Sequence, residues 1–244
     1  MKTIKKLIKG EISRRALLRG FLPLGLTTFF GFLLISRMLF PPNEEYPYRW
    51  TTSMISRLGW PQENPMGWVF FAIAFIWLGI LLLMLAPYMF QKLSTFHEGK
   101  ARVISFSIFI SGTGSIGLGL IPNYPITLFR TFHKINAALL FMGIFLMTIL
   151  CLTVMISDLR SHPQENQNFS TQSLRIFSAM FLYLIITSLM MAFSRPGLPG
   201  NYYFHDPNTP MLLSRPFWEW QAMLLGIGLI VMSCIMIPEK DAQD

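Results

Sequence analysis

Charge is what this sequence has least of. Only 13% of its 244 residues are Asp, Glu, Lys or Arg, about half the share found in soluble globular domains. That shortage excludes an ordinary cytosolic enzyme. Cysteine is scarce as well: Cys151 and Cys234 each sit inside a long apolar run, so a disulfide framework or a thiolate metal site has no material, and both read as packing residues. Period-two alternation is missing from the apolar runs, which removes a transmembrane barrel. The middles of those runs also lack charge and no half-to-half repeat is apparent, both of which count against a small-solute transporter.

What is present is apolar bulk. Hydrophobic residues make up 52% of the chain, with 22 Phe, 16 Met and 6 Trp, and the mean hydropathy is +0.47, far too high for a solvated coil. A helix crossing about 30 Å of hydrocarbon needs about 20 mostly apolar residues, and lipid tolerates no unsatisfied backbone. Six runs qualify, near 21–40, 66–90, 103–121, 135–157, 174–193 and 217–237. The expected fold class is therefore all-α: a polytopic membrane protein built as a six-transmembrane-helix bundle.

The net charge of +8 invites a nucleic-acid reading, but much of the excess sits in one stretch. Residues 1–20 carry Lys2, Lys5, Lys6, Lys9, Arg14, Arg15 and Arg19 against the single acid Glu11. Beside an apolar run such a stretch is an orientation signal, and it places the leader in the cytoplasm. Six spans return the tail, 239–244, to the same side, with the transmembrane domain at 21–238. Thirteen of the twenty basic residues then lie inside and seven outside. Both termini are expected to be cytoplasmic, in a multi-pass protein of the inner (plasma) membrane, with no nucleic-acid partner. The segment Ser13-Arg14-Arg15-Ala16-Leu17-Leu18 resembles a twin-arginine export signal. No small-x-small cleavage pattern follows the first run, so that span is expected to be retained, with the leader lying on anionic lipid.

Several motifs dissolve in context. Gly112-Thr113-Gly114-Ser115-Ile116-Gly117 has the G-x-G-x-x-G form but lies inside an apolar span, not at a strand-to-helix junction. Its spacing of four is more informative: Ser107, Ser111, Ser115 and Gly119 fall on one helix face and predict close packing against a neighbour. His97-Glu98-Gly99 lacks the second His of a zinc helix and reads as a turn. The sequon Asn168-Phe169-Ser170 falls on the expected cytoplasmic side, where glycosylation does not occur.

The outer loops, 41–65 and 195–216, are long and rich in Pro, Gly, Trp and Tyr, which argues for order and function. Ionisable groups at the outer ends of spans carry the most weight, because charge near hydrocarbon is costly unless paired or used. Arg37 closes the first span, His133 and Lys134 open the fourth, and Glu219 lies in the first turn of the sixth between Trp218 and Trp220. For Arg37 and Lys134 interfacial snorkelling explains the charge.

The segment Thr52-Ser53-Met54-Ile55-Ser56-Arg57-Leu58-Gly59-Trp60-Pro61, then Asn64-Pro65 and Trp68-Val69-Phe70-Phe71, resembles the I-S-x-L-G…N-P…F pattern of a bacterial six-helix family, domain of unknown function 998. Gly117 to Pro122 and His133 continue the likeness. Arg57 departs from the acidic or neutral residue expected there. More remotely the landmarks are similar to the family of DRAM, Frag-type and Sfk-type proteins, in which Ile55, Ser56, Gly59, His133, Glu219 and Trp220 would have counterparts. That resemblance implies lipid handling or sensing at the membrane face.

Two functional readings follow. In the first, the protein interacts with or modifies membrane lipids at an outer-face site built from Ser53, Ser56, Arg57, His133, Glu219 and Trp220. Ser56, His133 and Glu219 are then the candidate catalytic groups, although no G-x-S-x-G elbow accompanies them. The first outer loop is expected to fold back over the bundle and bring Ser56 or Arg57 to His133 and Glu219, with Glu219 as the carboxylate for Arg57; the competing arrangement pairs Glu219 with Arg215. In the second reading the chain is a non-catalytic accessory or scaffold subunit of a membrane complex. No cofactor is expected. A metal site would have to draw on His133, His205, Asp206 and Glu219, a mixed N and O set.

Overall fold

A computed structural model describes residues 9–42, 47–121, 126–161, 169–194 and 210–238. Among these residues every long element is helical and no β-strand occurs. Five helices are long and apolar enough to cross a membrane.

The first, α1 (Arg14–Met38), starts at Ser13, whose hydroxyl accepts from the Ala16 amide at 3.2 Å. Leu17–Phe21 form a π-turn within it. Pro23 explains that widening: it has no amide to donate, and its ring crowds the carbonyl four residues back, which falls inside the π-turn. The helix begins seven residues before the expected run, because a helix continues past its apolar stretch where polar residues reach the interface.

α2 (Trp68–Leu120) spans 53 residues and would be about 80 Å long if straight. It is not straight. His97 has φ −160° and ψ 89°, outside the helical region, and the chain reverses there. The Ser105 hydroxyl donates to the Ala86 carbonyl at 2.9 Å, and the Ser115 hydroxyl to the Phe75 carbonyl at 2.7 Å. The partner numbers fall on one side as they rise on the other, so arms 68–96 and 98–120 run antiparallel. Their approach is backbone to backbone: a Cβ on Gly119 would sit 2.5 Å from the Ala72 carbonyl oxygen, a separation only glycine permits. The second and third apolar runs are thus two helical arms that meet at His97, where the His97-Glu98-Gly99 turn was expected.

The second arm lies at the centre. Ser107, Ser111, Ser115 and Gly119 are all buried. Ser115 faces the first arm, while Ser111 donates to the Leu140 carbonyl at 3.0 Å on α3 (Thr127–Ser161). α3 starts eight residues before the expected fourth run, so His133 and Lys134 lie in its second turn and do not open it. The polar turn around Arg130 is helical too, which an apolar-run criterion overlooks.

α4 (Thr171–Phe193) is capped by Ser170 and buries only Phe177, Leu184 and Thr187, so it is peripheral. α5 (Arg215–Met236) carries Pro216 in its first turn and buries a stripe from Trp218 to Cys234. α1 seats on the first arm through Phe29 against Phe75, 5.7 Å between ring centroids, and through the Trp77 indole donating to the Gly25 carbonyl at 3.0 Å.

At the end opposite the 41–65 loop, residues 9–13 lie across the bundle. Gly10 has φ +73°, a conformation glycine adopts without strain, and packs on the Pro87 backbone. The Gln91 amide donates to the Lys9 carbonyl, and Arg14 to the Ile235 carbonyl. This part of the leader therefore docks on protein, where lipid was expected beneath it.

Candidate functional site

The loop after α1 is held by charge and aromatic contact. Arg37, in the last turn of α1, donates to the Tyr48 carbonyl at 3.0 Å, and its guanidinium stands 5.1 Å from the Tyr48 ring centroid. The Tyr48 ring packs on Phe40 at 5.1 Å, and its hydroxyl donates to the Met54 carbonyl at 3.4 Å. Burial, and after it the nearby Glu219 charge, hold that phenol well above its ordinary pKa, so it serves as a neutral donor.

Residues Ile55–Gly59 form a 3-10 turn in which all five residues are buried. Asn64 fixes its far end: the side-chain amide donates to the carbonyls of Leu58 at 2.8 Å and Ser36 at 3.2 Å, and its oxygen accepts from the Gly67 amide at 3.1 Å. The near end is tied to α5. The Ile55 amide donates to Glu219 Oε2 at 3.0 Å, and the Trp220 indole donates to the Ser53 carbonyl at 3.4 Å. Trp50 and Trp220 stack edge-on at 4.3 Å.

With three residues per turn, neighbouring side chains of a 3-10 turn point about 120° apart. Ser56 and Arg57 accordingly part company. Arg57, 0% exposed, turns into the loop. Its Nε pairs with the Glu63 carboxylate, its Nη1 donates to Ser53 Oγ at 3.1 Å, and its guanidinium lies 5.0 Å from the Phe40 centroid. The expectation that Glu219 is its carboxylate is therefore corrected: an acid six residues away in the same loop reaches it without crossing the bundle. The competing arrangement places Arg215 beside Glu219, and Arg215 Nε donates to the Met191 carbonyl at 3.2 Å.

Ser56, on the other side of the turn, faces inward. With His133 and Glu219 it lines one cavity of about 50 Å³ between the turn, both arms of α2, α3 and α5, partly open to the outside. The rest of the lining is apolar, from Phe71 and Leu118 down to Leu82 and Ile230. His133 is 7% exposed and its Nδ1 has no hydrogen-bond partner, while the Ile121 backbone lies against the ring. Of the remaining candidates, Ser53 and Trp220 brace the turn and do not line the cavity. His205 and Asp206 lie outside the described residues. Among the described residues no three His, Cys, Asp or Glu side chains converge as a metal would require.

Glu63, Asn64, Ser36 and Tyr48 are the groups sequence reasoning left without a role. The signal for Glu63 was the Arg57 charge itself, which demanded an acid in local reach. Asn64 had been read only as a landmark of resemblance.

Residues 24–205 match the family model described as "Protein of unknown function (DUF998)". The chain belongs to that family. The family segment contains the Ile55–Gly59 turn and His133, and it ends before α5, so Glu219 lies beyond it. No curated protein and no solved structure matches the chain.

Proposed function

We propose that this helical membrane protein is a six-span protein of the inner membrane, with both termini cytoplasmic, that holds a lipid at its outer face. The six-span reading is supported by α2, whose antiparallel arms are each long enough to cross singly, and by the thirteen-to-seven bias in basic residues. A reporter active only outside the cytoplasm, fused to the C-terminus, stays silent if this topology holds.

The observation that carries the lipid reading is the asymmetry of the cavity. Its three polar groups lie on the Ile55–Gly59 turn, the second turn of α3 and the second turn of α5, hence at one end. Below them the wall is apolar from Phe71 to Leu82 on one helix, about 16 Å at 1.5 Å per residue, and from Met223 to Ile230 on another, about 10 Å. A polar mouth over an apolar wall has the polarity of a single amphiphile chain with its head at the interface.

The test is lipid retention. Protein purified in neutral maltoside and examined by native mass spectrometry should carry co-purified lipid. Leu118→Trp, which fills the cavity, should lose it while keeping its elution profile. Lipid retained by the filled variant would place the binding elsewhere.

A further inference from the structure

We infer that the ligand of this cavity is a single-chain amphiphile with a protonated amine head, and that a phosphate head is disfavoured. The inference rests on the lipid-site reading above and deepens it by naming the head group.

The argument is an inventory of what the mouth offers. Ser56, His133 and Glu219 are the polar side chains lining the cavity, and no Lys or Arg lines it among the described residues. Arg57 is turned away and engaged with Glu63 and Ser53. The Arg215 charge reaches Glu219 from outside the lining, with its Nε on the Met191 carbonyl. As a carboxylate Glu219 only accepts, and one of its oxygens already takes the Ile55 amide. His133 is buried with Nδ1 unpartnered. A neutral imidazole protonated at Nε2 presents a lone pair at Nδ1, and a serine hydroxyl accepts as readily as it donates. The mouth thus offers a set of three acceptors above an apolar wall, one of them a carboxylate.

An alkylammonium matches this set in number and in sign. It carries three N–H donors and one positive charge, so the buried carboxylate gains a counter-ion that the lining itself does not provide. A phosphate carries no surplus of donors and would set negative charge against Glu219 in a medium of low effective dielectric, where like charges repel strongly. A hydroxyl head donates once and leaves two acceptors unmatched.

The experiment compares radiolabelled dodecylammonium, dodecanol and dodecyl phosphate on the full chain in neutral maltoside micelles, by scintillation proximity. The three probes share one chain, so differences report the head. Dodecylammonium should bind at least about tenfold more tightly than dodecyl phosphate. Glu219→Gln should erase that preference. Should Glu219→Gln fail to fold, the wild-type ranking still decides, and Leu118→Trp must abolish binding of all three probes. Equal affinities, or a preference for phosphate, overturn the head-group assignment and leave the lipid site standing. No binding by any of the three overturns the lipid-site reading as well.

Discussion

The two ends of the bundle solve the same problem in different ways. At the end bearing the Ile55–Gly59 turn, polar groups are buried deeply and paired, Arg57 with Glu63 inside the loop, Asn64 with Ser36 and Ile55 with Glu219 across longer sequence distances. At the leader end, the exposed Gln91 and the half-buried Arg14 reach backbone carbonyls at Lys9 and Ile235. There the cavity between Leu93, Cys151, Phe177 and Met236 is only about 10 Å³, and among the described residues Ser233 is its one hydroxyl-bearing wall residue. Desolvated polar groups are costly to keep. The turn end keeps several beside a cavity with an unpartnered imidazole, whereas at the leader end the buried Asp158 accepts from the Phe169 amide at 3.1 Å and the contacts of Gln91 and Arg14 close helix ends. The contrast separates an end organised around a vacant space from an end organised as a seal.

The comparison is broken most severely by removing Arg57. Arg57→Ala strips a fully buried cation from Glu63, Ser53 and Phe40, and should destabilise the protein by about 3–5 kcal/mol, the range for breaking a buried pair. Unfolding in mixed micelles measures it, and a double-mutant cycle with Glu63→Gln should show strong coupling where a cycle with Glu219→Gln is near additive. Asn64→Ala is expected to cost less, about 1–3 kcal/mol, because it strands the Leu58 carbonyl and the Gly67 amide without touching a charge. The smallest effect belongs to the leader end. Gln91→Ala should stay within about 0.5 kcal/mol, since both partners there can turn to water. A loss as large as that of Asn64→Ala would dissolve the distinction between the ends.

Apolar run length was enough to find the helices, because lipid leaves the backbone few alternatives. The buried serine row on 107–119 was equally legible, since small residues at spacing four have one favourable use in a span. Helix ends were not legible: Thr127 to Lys134 is helical despite Arg130 and His133, and run length alone stops short of it. The convergence of Ser56, His133 and Glu219 on one cavity could be anticipated from membrane depth, since each lies at the same end of its element. The partner of Arg57 could not. Depth told which acids were level with the guanidinium, but the 120° step between Ser56 and Arg57 decides which way each faces, and that angle exists only once the loop has become a 3-10 turn. The docking of residues 9–13 on Pro87 likewise depends on a left-handed Gly10, which no hydropathy pattern announces.

The bond between the Ile55 amide and Glu219 joins groups 164 residues apart. Chains emerge from the ribosome N-terminus first, at about 5–20 residues per second. The turn that carries Ser56 is therefore synthesised many seconds before the helix that must receive it. Until α5 has entered the membrane, Ile55, Ser53 and Thr51 lack their Glu219, Trp220 and Ser214 contacts. The mouth of the cavity is closed only once α5 arrives, and a chain that stops short of α5 has every earlier helix but no mouth.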